Sequence, residues 1–166
     1  GKATRLAEWA GALVANEIEP RRAKVLLSNL ERMGAWNAAV TNESPARLAQ
    51  ALPEAFDAVL VDAPCSGEGM FRKEPQALDR HSQVLVEQCA ALGAQILDNA
   101  AACCAPGGRI VFSTCTFAPE EDEGQVGAFL ARHPEFEAVP VAVSFGSPGE
   151  TARCGAHPFD ASAMRP

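Results

Sequence analysis

Residues 56–63, FDAVLVDA, narrow the fold more than any other stretch of this chain. The run is short and apolar enough to be buried on both faces, which predicts a strand in a parallel, helix-covered sheet. The flanking segments repeat that logic. Residues 13–17 (LVANE), 37–42 (NAAVTN) and 109–115 (RIVFSTC) read as further strands. Between them, Leu6, Trp9 and Leu13 sit at helical spacing over 3–12. A second helix is predicted to start at Pro20, carry Val25, Leu26, Leu30 and Met33 on its apolar face, and stop at Gly34. From about Ser82 to Cys103, Leu85, Gln88, Cys89, Leu92, Ile96 and Leu97 mark a long helix, ended by APGG. Pro119 and the acids after it predict another helix start, with the acids placed where the helix dipole favours them. Residues 136–143 (FEAVPVAV) read as a last strand, and 144–166 as an irregular tail. Alternating strands and helices predict a doubly wound α/β fold. In such sheets ligands bind beyond the carboxyl ends of the strands.

At 166 residues, 48% hydrophobic and 21% charged, the chain has the size and composition of one soluble globular domain. Its apolar runs fall far short of a membrane span and no signal-peptide pattern opens it, so the expected location is cytoplasmic. Six cysteines (Cys65, Cys89, Cys103, Cys104, Cys115, Cys154) therefore read as reduced thiols. There is no C-x-x-C pair, and His81, His133 and His157 lie far from any cysteine pair, so no metal site is expected. Cys103 and Cys104 close an alanine-rich helical stretch and read as small core residues. A net charge of −7 does not mark a nucleic-acid binder, so contact with RNA would need local basic residues or other parts of a longer protein.

Chemically marked stretches fall at three predicted strand ends. Glu17 suits either a ribose diol or a solvated strand-end carboxylate. Asp62 is followed by Ala63 and Pro64, on a stiff turn that could present a carboxylate to a protonated or amino-bearing ring edge, or could simply cap the loop. Cys65 and Cys115 follow two strands, and a thiol becomes a good nucleophile where a cation or helix N-terminus favours the thiolate. Arg72 and Lys73 lie near Cys65 in sequence. The glycine clusters GEG and PGG fit tight turns better than a phosphate cradle.

Two segments, DAPCSGEGMFRK (62–73) and PGGRIVFSTCTFAPEEDEGQV (106–126), closely resemble the paired signature motifs of the Sun family of RNA cytosine-5 methyltransferases, in particular its bacterial branch that acts on ribosomal RNA. The resemblance covers roughly residues 1–140. It implies a Rossmann-like methyltransferase fold, S-adenosylmethionine as cofactor and RNA as partner. It also implies roles for single residues. Cys115 matches the thiol that adds to cytosine C6, and Asp62 the acid that stabilises the base at N3 and the exocyclic amine. Cys65 matches the residue associated with release, and Lys73 a site lysine. Gly1 and Lys2 match the end of a glycine-rich loop for the cofactor, Glu17 its ribose-binding acid, and Ser44, beside Glu43, the position of an adenine-side acid. Asp62 and Pro64 complete the implied cofactor contacts.

The resemblance further implies that residues 1–143 form a partial catalytic domain beginning just after the family's first strand. RCGAHPF in the tail would be a remnant of its closing hairpin, and RNA-binding extensions would lie outside the chain. Two other readings stand beside this one. An amino-methyltransferase would hold an exocyclic amine in an Asp-Pro-Pro-aromatic type of loop, which Cys65 and Phe71 fit poorly. Alternatively, the chain is an inert or partner-dependent α/β fragment.

Overall fold

The computed structural model describes residues 1–141 and 149–150. The chain divides into two compact units, Gly1–Ala51 and Leu52 onward. The first contains α1 (Lys2–Ala7), β1 (Leu13–Asn16), α2 (Pro20–Arg32), β2 (Ala38–Thr41) and α3 (Pro45–Ala51). β1 and β2 pair in parallel, Leu13 opposite Ala38 through Asn16 opposite Thr41. Their connection is α2. Glu19 caps it, its carboxylate accepting the N–H groups of Arg21 and Arg22 at 3.0 and 2.7 Å, and Pro20 occupies the first turn, where a missing N–H costs nothing. Gly34, at φ +70°, ends the helix as predicted. Ala15, Ala23 and Leu30 are buried in this unit. Val25 and Met33, expected on the apolar face of α2, are instead exposed. α1 is also shorter than its apolar spacing predicted: it stops at Ala7, Trp9 is exposed and Leu13 starts a strand.

The second unit contains β3 (Phe56–Asp62), a short 3-10 turn (Glu68–Met70), α4 (Pro75–Arg80), α5 (Gln83–Cys103), β4 (Cys104–Ser113) and α6 (Glu123–Arg132). β3 and β4 are parallel, running in register from Ala58 opposite Arg109 to Asp62 opposite Ser113. α5 makes the crossover. Ser82 caps it through the N–H of Leu85, and Val86, Gly93, Leu97, Ala100 and Cys103 form its buried stripe. The stripe runs through small residues more than the apolar spacing suggested, and Leu92 is exposed. Val59, Val61, Ala63, Ile110 and Phe112 pack with Ile96 and Ala100 of α5. The opposite face of the pair carries Leu60 and Val111, both exposed, so the expected burial of β3 on both faces is not realised among the described residues.

Among the described residues, parallel α/β architecture is thus present as a two-stranded pair in each unit, and a full doubly wound sheet is not seen. Three local departures stand out. APGG does not simply end α5; it bulges within β4, between Cys104 opposite Phe56 and Arg109 opposite Ala58, with Gly107 at φ +78°. α6 begins at Glu123 rather than at Pro119, because Glu121 and Asp122 are drawn into side-chain bonds elsewhere. Residues 136–141 form no strand, and the closing-hairpin segment RCGAHPF lies outside the described residues. No helix among the described residues is long and apolar enough to cross a membrane.

A Cβ at Gly108 would come within 2.8 Å of the Ala105 carbonyl oxygen and Cys104 Sγ, and 3.0 Å of the Asp57 carbonyl oxygen. Gly108→Ala should therefore cost about 1–3 kcal/mol in chemical denaturation. Gly11→Ala, whose Cβ meets nothing within 4 Å, should shift stability by under ~0.5 kcal/mol. Equal midpoints for the two variants would contradict the tight bulge.

Candidate active site

The register of β3 with β4 sets two strand ends side by side. Beyond it, the Ala63 N–H donates to the Ser113 carbonyl at 2.9 Å, and Ser113 Oγ lies 3.3 Å from Asp62 Oδ1. The loops that leave these ends carry the two marked cysteines, and they meet. Cys65 Sγ lies 3.2 Å from Cys115 Sγ, and the Cys115 N–H donates to Cys65 Sγ at 3.2 Å. Gly69 holds the approach: its N–H donates to the Cys115 carbonyl at 2.8 Å, and a Cβ there would lie 2.8 Å from the same oxygen.

The two sulfurs are not equivalent. Cys115 is exposed and Cys65 is half-buried. Burial pushes the Cys65 thiol up to about 12, with the adjoining Cys115 sulfur adding to the rise and the Cys115 N–H partly offsetting it. Burial thus favours the protonated form of Cys65, which is in contact with a more accessible thiol.

Around the pair is a polar cluster that sequence reading missed. Ser66 and Glu121 are buried, Ser66 donating to Glu121 from both its N–H (2.8 Å) and its hydroxyl (2.5 Å). Buried Thr116 lies 2.9 Å from Ser66 Oγ. Glu68 accepts the Phe117 N–H at 2.8 Å and faces His81 Nε2 at 3.5 Å. Thr114 Oγ1 donates to Asp122 at 2.5 Å. The only local signal for these roles was the acidic run 120–123, which reads equally well as a helix start. Of its members only Glu123 lies in the first turn of α6.

The remaining candidates fall as follows. Asp62 and Pro64 are at the root of the Cys65 loop, both exposed. Lys73 is exposed beyond the 3-10 turn, outside the hydrogen-bonded cluster. In the first unit, Glu17 ends β1; one carboxylate oxygen accepts the Glu19 N–H at 3.1 Å and the other pairs with Arg22 at 2.9 Å. Ser44 accepts the Arg47 N–H at 3.3 Å at the start of α3, and Glu43 pairs with Arg47 at 3.2 Å. Gly1 precedes α1, where its amino group donates to Thr4 Oγ1 at 2.9 Å, and Lys2 opens the helix. Among the described residues no cluster of three or more His, Cys, Asp or Glu could hold a metal ion.

A family model described as "16S rRNA methyltransferase RsmB/F" matches residues 1–157. The chain belongs to the RsmB/F family. Among its relatives, Ribosomal RNA small subunit methyltransferase F of Cronobacter sakazakii is 44% identical over 125 residues, covering 75% of this chain and 26% of the relative. The protein of the same name from Klebsiella pneumoniae is 42% identical over 137 residues, covering 82% of this chain and 29% of that one. The chain therefore spans about a quarter of the length of the curated relatives it matches. In solved structures, PH0851 matches at a TM-score of 0.78 with 26% identity, over 89% of this chain and 40% of that one. NSun6 from Pyrococcus horikoshii, solved with SFG, matches in fold at 0.76 with 24% identity, over 90% of this chain and 38% of that one. Within the RsmB/F family frame, the thiol pair lies inside the matched residues.

Asp122 gives this site a pH signature. Burial raises its carboxyl to about 6, and Glu123, Glu121 and Glu68 add like charge, against the Thr114 hydrogen bond. Because the folded value lies above the ordinary carboxylate one, ionising Asp122 costs the folded state. That cost is full above about pH 6 and gone below about pH 4. Asp122→Asn keeps an acceptor for Thr114 and should stabilise the chain at pH 7.5 by about 1 kcal/mol, after allowance for solvent screening. Thermal melts should show the gain vanish by pH 4; an equal gain at both pH values would rule out this assignment.

Proposed function

We propose that the protein to which this chain belongs methylates C5 of a cytosine in RNA, ribosomal RNA being the substrate that its family membership favours, through a covalent Cys115 adduct. The observation that carries the reading is the unequal thiol pair at two adjacent strand ends. C5 of cytosine is too weak a nucleophile to take a methyl group unaided. Exposed Cys115, as thiolate, adds to C6, forming the S–C6 bond and making C5 enamine-like and electron-rich. Asp62 stabilises the base at N3 and the exocyclic amine as charge develops there. After C5 is methylated, its proton passes to solvent, the C–H electron pair restores the ring double bond, and the S–C6 pair leaves with the Cys115 sulfur. Cys65 serves this release: as a thiol it carries a proton 3.2 Å from the departing Cys115 sulfur. Lys73 and Arg72 supply positive charge beyond the loop in a chain whose net charge is −7.

S-adenosylmethionine, when bound, supplies the electrophilic methyl group. The donor set is compatible with it. Glu17 offers a strand-end carboxylate of the kind that accepts a ribose diol, and its partner Arg22 is 75% exposed. Ser44, which accepts the Arg47 N–H and still has a hydroxyl proton to donate, is the proposed contact on the adenine side. Gly1 and Lys2 are the proposed contacts to the methionine end, and Asp62 and Pro64 are further proposed cofactor contacts.

In the full-length protein, Cys115→Ser should lower methylation at least ~1,000-fold, read as loss of bisulfite-resistant cytosine. Cys65→Ala should instead accumulate a protein–RNA adduct that survives a denaturing gel. Full activity in the Cys115 variant would sink the mechanism.

A further inference from the structure

The Cys65 loop and the Cys115 segment are joined by two carboxylates that cross in opposite directions. Glu121, from the Cys115 side, accepts the N–H and hydroxyl of Ser66, the residue after Cys65. Glu68, from the Cys65 side, accepts the N–H of Phe117 at 2.8 Å and the hydroxyl of Thr116, the residue after Cys115, at 3.3 Å. Ser66 Oγ and Thr116 Oγ1 meet between them at 2.9 Å. The donors on Ser66, Thr116 and Phe117 all lie within two residues of one of the two cysteines.

Stability alone gives a poor account of this arrangement. Glu121 is 2% exposed, and among the described residues no Lys or Arg pairs with it. A buried carboxylate held only by neutral donors is expensive, and an apolar filling of the same space would generally do as well or better. Glu68 and Asp122 add negative charge nearby. What the crossed bonds do supply is a fixed separation between two short loops that otherwise have little regular structure.

We propose that Glu121 and Glu68 form a reciprocal clasp that holds Cys65 Sγ against Cys115 Sγ, and so act as positioning residues for the thiol chemistry. The purpose of that positioning rests on the proposed function, whereas the positioning itself is testable without RNA or cofactor. In glutathione buffers, a thiolate of the pair attacks glutathione disulfide and releases one glutathione. The second cysteine then displaces the other, so that two thiols and one glutathione disulfide become one protein disulfide and two glutathiones. The fraction of Cys65–Cys115 disulfide at equilibrium, read by mass spectrometry after alkylation and digestion, measures how well the two sulfurs are held together.

Glu121→Gln and Glu68→Gln should each lower that equilibrium constant at least tenfold. Leu97→Ala, a cavity in the buried stripe of α5, should lower the melting temperature but leave the constant within twofold of the parent. Ser66→Ala, which removes only one donor, should lower it about threefold and serves if Glu121→Gln does not fold. Unchanged constants in the Glu variants that fold and in Ser66→Ala, or an equal loss in Leu97→Ala, would overturn the clasp. In the full-length protein, Glu121→Gln should lower kcat with KM for RNA little changed. Should Cys115→Ser retain activity while the disulfide equilibrium behaves as expected, the functional reading fails and the clasp survives.

Discussion

The parallel register of β3 with β4 is the constraint from which the candidate site follows. Asp62 opposite Ser113 means that both strands release their chains at the same level of the sheet. Parallel pairing requires a long crossover, and the 21 residues of α5 supply it while covering one face of the pair. Cysteines 50 positions apart in the chain can therefore touch. A slip of one residue in that register would turn Val59 and Val61 away from α5 and shift the two loops relative to one another.

Contact between the sulfurs also divides their chemistry. Two identical side chains at 3.2 Å would compete for one proton if their surroundings were alike. They are not alike, because Cys65 sits deeper and accepts the backbone N–H of its partner, while Cys115 stands exposed at the end of the β4 loop. Burial raises the cost of charge on Cys65, leaving the more accessible sulfur better suited to attack.

Much of the fold was legible because strand ends and helix caps announce themselves locally. LVANE, NAAVTN and FDAVLVDA all fall on observed strands, and Pro20, Gly34 and Ser82 punctuate helices where expected. α3 and α4 were overlooked despite a proline in the first position of each, Pro45 and Pro75, since each helix is too short for periodicity to build up. The buried stripe of α5 was misjudged for a different reason. Gly93 is buried with the Gln125 side chain 3.9 Å from where its Cβ would be, so its burial comes from a neighbouring helix and not from any hydrophobicity of its own. Likewise Cys65 and Cys115 could be picked out as a pair, but their contact depended on a strand register that no local pattern encodes.

The acidic run 120–123 shows why such sites resist reading from sequence. One rule, that acids favour the start of a helix, accounts for all of it at once and is correct only for Glu123. The Glu120 carbonyl accepts the amide of Gln125, Glu121 turns inward to Ser66, and Asp122 turns to Thr114. Three successive residues therefore bond in three directions, and α6 cannot begin until they have done so. The late start of the helix thus accompanies these loop contacts: a turn of regular structure is replaced by carboxylates bonded to Ser66 and Thr114, each next in sequence to one of the two cysteines. A helix starting at Pro119 would be the better local solution for this sequence. Its absence measures how strongly the loop contacts compete, and the local rule fails at the point where those contacts converge.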